Sequence, residues 1–326
     1  MSIFDTGLNP LKNSKVVPVF LTINSAYAPY AAAAIHSLTQ KVDKKRYYRV
    51  IILHDGLNWV NRIRLRSLVT KNVAIQFKKI SRNLYLKAII KYCSRRKGAG
   101  DFFSSAVYYY RFFIPRLFPM YNKCVYIDSD TILRGDIGEL FDIDLGDNAV
   151  AAMVDPKVEV IKEFRDYVNN AVGVPYKDYC NSGVIVMDMK KLRKMHYLSA
   201  LVDVINKYNA DLVAPDQDYM NVILSGKILH LDPRWNTEPA ENLAKDVKLV
   251  HFNLFNKPWH YKNVPQEKIF WNAARGTGFY GELKRQREGF DTKKQKEDHK
   301  KIEALIKKAA TLAKVKEPVI KFEEKS

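Results

Sequence analysis

Apolar runs alternate with amphipathic segments along the first third of the chain. The run 16–23 predicts a buried strand, and an Ala-rich helix follows it as far as Leu38. A strand at 49–53, an amphipathic helix at about 59–69 and a strand at 73–77 continue the pattern. This order predicts parallel strands joined by crossover helices, which is a doubly wound α/β sheet. No G-x-G-x-x-G motif is present, so a dinucleotide-binding domain is not predicted.

The middle of the chain adds further elements. Apolar runs at 124–127, 148–154 and 179–189 each predict a strand, and 215–224 predicts a helix with a proline in its first turn. Residues 104–118 follow a helical pattern that is dense in aromatic side chains around one arginine. An aromatic stripe of this kind is typical of a buried core.

Two carboxylates, Asp128 and Asp130, directly follow the apolar run 124–127. Residues two apart on a strand point the same way, and open α/β sheets bind ligands at the carboxyl ends of their strands. Two carboxylates held this close repel each other unless a positive charge lies between them. A divalent cation that carries a diphosphate satisfies this requirement. The alternative interpretation is an Asp-rich turn after a strand.

A second polar segment lies far downstream, after the strand-like run 247–250. His251 offers a nitrogen ligand, and Lys257 offers a phosphate contact just before Pro258-Trp259. Two carboxylates and one imidazole suit Mn²⁺ better than Ca²⁺, with Mg²⁺ as the alternative cofactor. A structural histidine followed by ordinary loop packing explains the same residues without a metal.

Four motifs occur in a fixed order along the chain. They are Tyr126-Ile127-Asp128-Ser129-Asp130-Thr131, Cys180-Asn181-Ser182-Gly183-Val184, Asp216-Gln217-Asp218 and His251-Phe252 through Lys257-Pro258-Trp259. Together they resemble the glycosyltransferases of family 8, which include bacterial lipopolysaccharide galactosyl- and glucosyltransferases and glycogenin. The resemblance covers about 16–280, and it implies a GT-A fold, a UDP-sugar donor, Mn²⁺ and transfer with retention of anomeric configuration.

The resemblance also implies roles for individual residues. The implied metal ligands are Asp128, Asp130 and His251; the implied substrate-binding residues are Asn24, Arg111, Asp155, Asn181, Asp216 and Lys257; the implied catalytic residues are Gln217 and Asp218. Gly183 is expected to let the backbone approach a ligand, although a β-bulge explains the same glycine.

Retention leaves two mechanisms open. Either Gln217 or Asp218 attacks the anomeric carbon and is later displaced, or the acceptor enters on the face from which UDP leaves. Glutamine is a poor nucleophile, and an aspartate at a helix start is often occupied with capping. We therefore favour attack on the same face.

Two positions depart from the family pattern. Asn24, Ser25 and Ala26 stand where many members carry acidic and amide residues that contact uridine. Leu254 stands where some members have a glycine between the metal histidine and the lysine. Its side chain either crowds the diphosphate or turns inward.

Length and composition agree with one large domain and an appendage. The chain has 326 residues, and 47% of them are apolar, which is enough to build a full core. We expect an N-terminal extension at 1–15, the main domain at 16–280 and a basic, helical tail at 281–326. Three widely spaced cysteines predict reduced thiols, and no signal peptide or membrane-spanning run is recognisable, so we expect a cytoplasmic protein.

The formal net charge of +19 calls for an anionic partner. In the tail, Ile302, Leu305, Ile306, Ala309 and Leu312 fall at helical spacing, with lysines on the other face. This pattern predicts a helix on the anionic inner surface of the plasma membrane, or else a helix whose apolar stripe packs on the domain. The expected partners are therefore a UDP-hexose, a glycan, glycolipid or glycoprotein acceptor, and an anionic membrane. No nucleic-acid motif accompanies the charge.

Two other functions compete with sugar transfer. A phosphatase of the haloacid-dehalogenase type would use Asp128 as a nucleophile with Mg²⁺, but Ile132 stands where that pattern has Thr or Val. A non-enzymatic, basic protein that binds membranes or nucleic acid would contain the acidic triplet only as a turn. Neither accounts for four ordered motifs.

Overall fold

The computed structural model describes residues 16–81, 83–95 and 105–322, so the predicted extension 1–15 lies outside the described residues. Within the described part, the strands are β1 (Val16–Ile23), β2 (Tyr47–His54), β3 (Val73–Lys79), β4 (Lys123–Ile127), β5 (Thr131–Leu133), β6 (Val150–Val154), β7 (Cys180–Asp188), β8 (Ile228–His230) and β9 (Leu249–His251). The α-helices are α1 (Ala28–Thr39), α2 (Trp59–Arg66), α3 (Leu84–Arg95), α4 (Ile114–Leu117), α5 (Gly138–Asp142), α6 (Pro156–Val160), α7 (Lys162–Tyr167), α8 (Met189–Lys194), α9 (Tyr197–Tyr208), α10 (Pro215–Ile223), α11 (Glu267–Arg275), α12 (Tyr280–Glu288) and α13 (Thr292–Leu312).

A seven-stranded sheet forms the centre of the molecule, in the order β3-β2-β1-β4-β7-β6-β8. The strands β3, β2, β1 and β4 are parallel, and β7 runs antiparallel to both of its neighbours. Hydrophobic clusters cover both faces of the sheet, which explains why β1 reads as a continuous apolar run. The predicted doubly wound mixed sheet is confirmed.

A small second sheet joins the two polar segments that lie far apart in sequence. The strands β5 and β9 pair antiparallel, and the register sets Thr131 opposite His251. Since Thr131 directly follows Asp130, this pairing brings the downstream histidine to the two aspartates that follow β4.

The aromatic segment predicted as one helix at 104–118 has a different local structure. A 3₁₀ helix spans Ala106–Phe113, and α4 follows it as a single turn. Pro115 has no N–H to donate to the carbonyl of residue 111, so a continuous α-helix cannot run through this point. Tyr109, Phe112 and Phe113 are buried, as the aromatic stripe predicted.

The tail does not project from the domain. Helix α13 begins ten residues before the predicted stripe at 302–312, and it packs against α7. Leu305 and Ala309 are buried in the hydrophobic cluster that contains α7 residues, and Ile320 beyond the helix is buried as well. Ile306 and Leu312 are partly buried against the same cluster, so four of the five stripe residues contact the domain. The alternative prediction, packing on the domain, is confirmed. Among the described helices, none combines the length and the hydropathy needed to cross a bilayer.

Helix α12 lies in the predicted tail as well, and its Leu283 is completely buried against the core on the α1 side of the sheet. We expect Leu283→Ala to lower the free energy of unfolding by about 3 kcal/mol, because it removes a packed side chain from a closed core. Denaturant unfolding measures the effect, with exposed Lys284→Ala as the control. Equal stability of the two variants would show that α12 is not part of the core.

Candidate active site

Three predicted metal ligands converge in the structure. Ligand atoms of Asp128, Asp130 and His251 all lie within 4.8 Å of one another. Backbone hydrogen bonds fix this arrangement: the Asp128 N–H donates to the Gly183 carbonyl at 2.7 Å, and the Phe252 N–H donates to the Asp130 carbonyl at 3.0 Å. Two carboxylates and an imidazole form a donor set that fits Mn²⁺ or Mg²⁺.

The orientation of His251 follows from a chain of amide side chains. Asn181 Nδ2 donates to Asp155 Oδ2 at 3.1 Å, and its Oδ1 accepts from Asn236 Nδ2 at 2.9 Å. The Asn236 Oδ1 therefore faces His251 Nδ1, 2.8 Å away, and must accept its proton. This leaves His251 Nε2, 3.1 Å from Asp130 Oδ1, with the lone pair that a metal requires.

Gly183 provides the space for the imidazole. A Cβ atom at this position would lie 2.3 Å from His251 Cε1, which no real contact allows. We expected this glycine to let the backbone approach a ligand, and the close approach instead involves His251, a predicted metal ligand.

Two cations lie beside the two aspartates. Arg111 is almost fully buried, and its Nη2 lies 3.1 Å from Asp128 Oδ1 and 3.3 Å from Asp216 Oδ2. Lys257 Nζ lies 2.5 Å from Asp130 Oδ2. The mutual repulsion predicted for the carboxylates is thus offset by side chains of the protein.

The same charges determine the protonation of the buried groups. Burial alone would lower the pKa of Arg111, but Asp128 and Asp216 raise it above the ordinary value. Burial would raise the pKa of Asp130, but the ammonium group of Lys257 holds it below the usual range. The site therefore contains fixed charges of both signs.

A cavity of about 440 Å³ opens beside these residues. Its lining includes nine of the eleven predicted site residues, namely Asn24, Arg111, Asp128, Asp130, Asp155, Asn181, Asp216, Gln217 and Lys257. A volume of this size accommodates a small-molecule ligand. His251 is buried next to Asp130 and does not line the cavity.

Gln217 is held firmly at the cavity wall. Its Oε1 accepts from the Ser182 N–H at 3.0 Å and from Asn181 Nδ2 at 3.2 Å, and its Nε2 donates to Asp155 Oδ2 at 2.8 Å. Gln217, Asp155 and Asn181 thus form a connected set of polar groups at one part of the cavity wall.

Asp218 is not where its predicted catalytic role requires it. It is fully buried and does not line the cavity, and its carboxylate accepts from Tyr167 Oη at 2.7 Å, from Tyr179 Oη at 2.6 Å and from the Ala214 N–H at 3.0 Å. Both carboxylate oxygens thus face the protein interior, and the structure does not bring Asp218 together with the other predicted site residues at the cavity.

The two departures from the family pattern also have structural outcomes. The Asn24 side chain accepts from the Tyr27 N–H at 3.1 Å and caps a short 3₁₀ turn while lining the cavity. Leu254 has a left-handed backbone, with φ of 58°, which is the conformation that favours glycine. Its side chain is partly buried against the core and also contributes to the cavity lining.

Asn236 is a functional residue that sequence reasoning missed. It follows a short 3₁₀ turn at Pro233–Trp235 and is 2% exposed. No motif surrounds it, so only the folded arrangement identifies it.

Comparison with known proteins establishes the family. The model of glycosyl transferase family 8 matches residues 18–263, and the chain belongs to this family. General stress protein A of Bacillus subtilis is 26% identical over 273 residues, which cover 77% of this chain and 90% of that protein. Lipopolysaccharide 1,2-glucosyltransferase of Escherichia coli is 28% identical over 186 residues, which cover 51% of this chain and 54% of the enzyme.

Solved structures share the fold. The bifunctional glycosyltransferase WbbM superposes with a TM-score of 0.69 at 26% identity, over 86% of this chain and 53% of that chain, so this protein spans about half of WbbM. The galactosyltransferase LgtC, solved with donor and acceptor sugar analogues, superposes with a TM-score of 0.68 at 21% identity, over 80% of this chain and 96% of LgtC. The GT-A fold is thereby confirmed, and neither the phosphatase nor the non-enzymatic alternative is favoured.

We expect Asn236→Ala to weaken Mn²⁺ binding about tenfold or more, because the Nδ1 proton of His251 loses the acceptor that selects the ligating tautomer. Calorimetric titration with Mn²⁺ measures the affinity, and Asn242→Ala, at an exposed amide, is the control. An unchanged affinity in Asn236→Ala would show that the amide does not orient His251.

A second expectation concerns pH and stability. Burial raises the pKa of Asp218 from 3.8 to about 6, so the folded state holds the proton more tightly than the unfolded state. The contribution of this group to the free energy of unfolding is therefore fully present below about pH 4 and is lost as the pH rises through 6. Asp218→Asn does not titrate, so its free energy of unfolding relative to that of wild type should rise by up to about 3 kcal/mol between pH 4 and pH 7. Unfolding at both pH values tests this, with exposed Asp147→Asn as the control; a constant difference contradicts it.

Proposed function

We propose that this protein transfers a hexose, galactose or glucose, from a UDP-sugar to a hydroxyl group of a glycan, glycolipid or glycoprotein, with retention of configuration and with Mn²⁺ or Mg²⁺ as cofactor. The observation that carries the proposal is the convergence of Asp128, Asp130 and His251 within 4.8 Å beside a ligand-sized cavity. Membership of family 8 supports transfer as the reaction class.

Departure of UDP places negative charge on the diphosphate, and the site is arranged to stabilise that charge. A divalent ion held by the two aspartates and the histidine would act as a Lewis acid for the leaving group. Lys257 lines the same cavity next to Asp130 and adds a compact positive charge for the phosphates. Arg111 is anchored by two carboxylates and contributes a fixed charge that needs no reorganisation during the reaction.

The hydroxyl groups of the transferred sugar need donors and acceptors in fixed positions. Asp155, Asn181 and Gln217 form one connected network at the cavity wall, and Asp216 lines the cavity next to Arg111. Groups held in this way orient the anomeric carbon without losing freedom of their own when the donor binds.

Attack on the face from which UDP leaves is the mechanism we favour. The alternative mechanism needs a nucleophile, and Gln217 is the candidate that lines the cavity. Its Oε1 already accepts two hydrogen bonds, and an amide oxygen is a weak nucleophile. Asp218 is turned away from the cavity. We therefore assign Gln217 a positioning role.

The relatives support a glycan-type acceptor. The Escherichia coli relative is named for action on lipopolysaccharide, and LgtC was solved with an acceptor sugar analogue. We also propose a cytoplasmic location, based on the three widely spaced cysteines, which are buried in the domain.

We expect Asp130→Asn to release UDP from its UDP-hexose donor at least 100-fold more slowly than wild type, because the change removes the charge that faces both Lys257 and the metal. The assay incubates each protein with Mn²⁺ and a panel of UDP-sugars and measures UDP. Asp178→Asn, at an exposed carboxylate, is the control.

Equal rates for Asp130→Asn and wild type would remove Asp130 from the metal site. Release of phosphate from sugar phosphates, with no turnover of any UDP-sugar, would instead support the phosphatase alternative.

A further inference from the structure

Helix α13 lies outside the residues that match the family model, yet it forms part of the cavity. The match ends at residue 263, whereas Asp298 and Leu305 of α13 both line the cavity. Leu305 is 2% exposed, so its side chain is enclosed between the helix and the domain. Helix α13 therefore helps to shape a cavity whose other lining residues lie within the matched part of the chain.

Two polar contacts fix α13 against the loops that carry site residues. Tyr261 Oη donates to Asp298 Oδ2 at 2.6 Å, only four residues after Lys257. Lys308 Nζ donates to Asp211 Oδ1 at 2.6 Å and to the Leu212 carbonyl at 2.9 Å, just before α10 begins. Both halves of the helix are thus tied to the site.

The part of the cavity that α13 completes is chemically different from the metal side. We call it the apolar wall, and it consists of Val158, Phe164, Val168, Val213 and Leu305. All five side chains belong to one hydrophobic cluster. The polar groups that suit a diphosphate and a hexose come from other residues, on β7, α10 and the 3₁₀ helix Ala106–Phe113 and in the loops that follow β4, β6 and β9.

The one aryl group of a UDP-hexose is its uracil ring, whose polar edge needs hydrogen-bond partners that these five side chains do not have. The apolar wall therefore matches a different ligand. We propose that the apolar wall is an acceptor subsite, and that the acceptor carries an alkyl or aryl group close to its reacting hydroxyl, as a glycolipid does. The proposal rests on the sugar transfer proposed above. Each methylene group buried on such a wall improves affinity about fourfold.

The experiment compares transfer to methyl and octyl β-glucosides and β-galactosides, with the octyl glycosides below their micellar concentration. We expect wild type to have at least a tenfold higher kcat/KM for the octyl than for the methyl glycoside of the accepted sugar. Leu305→Ala should reduce this preference at least fivefold, and Leu305→Met should restore most of it. Leu312→Ala, on the same helix but outside the cavity lining, is the matched control and should keep the preference.

Donor hydrolysis without acceptor separates the two proposals. The rate of donor hydrolysis should remain within about twofold of wild type in all three variants, because the metal side of the cavity is unchanged. A retained rate also shows that the variants fold. Equal kcat/KM for methyl and octyl glycosides in wild type, or equal effects of Leu305→Ala and Leu312→Ala, would overturn the acceptor subsite alone. Absence of UDP release from every donor in wild type would overturn the proposed function, and the subsite with it.

Discussion

The position of one imidazole ring depends on a chain of hydrogen bonds that begins at a carboxylate. The carboxylate of Asp155 accepts the amide of Asn181, which in turn fixes Asn236, and Asn236 fixes His251. Each amide has only one orientation that satisfies both of its neighbours. Because Asp155 also accepts from Gln217, the metal side and the sugar side belong to one network. A change on either side therefore alters the geometry of the other.

Sequence order predicted the sheet well, because apolar runs and their spacing are local properties of the chain. The convergence of the predicted metal ligands depends instead on the pairing of β5 with β9, which are more than a hundred residues apart. The resemblance to family 8 supplied that long-range information. Asn236 could not be found in this way, since its role is defined by the two side chains that it joins and by no pattern around it.

The separation of two predicted site residues has a geometric cause. In Asp216-Gln217-Asp218, the two aspartates are two positions apart on a helix, about 200° around its axis, so they face opposite sides. Asp216 lines the cavity, and Asp218 is buried among tyrosines. In the same way, the spacing in α13 predicted an apolar stripe but not the surface that covers it, which is α7 and the adjoining core.

The placement of α13 has a consequence for biosynthesis. A ribosome completes the central sheet and the predicted metal ligands before it makes α13, and a domain generally folds as a unit. The last described helix then has to settle over an opening formed by elements completed many residues earlier. Before α13 packs, the hydrophobic side chains beneath it face water. The nascent polypeptide therefore passes through a stage in which part of the future cavity wall is an exposed hydrophobic surface that chaperones bind.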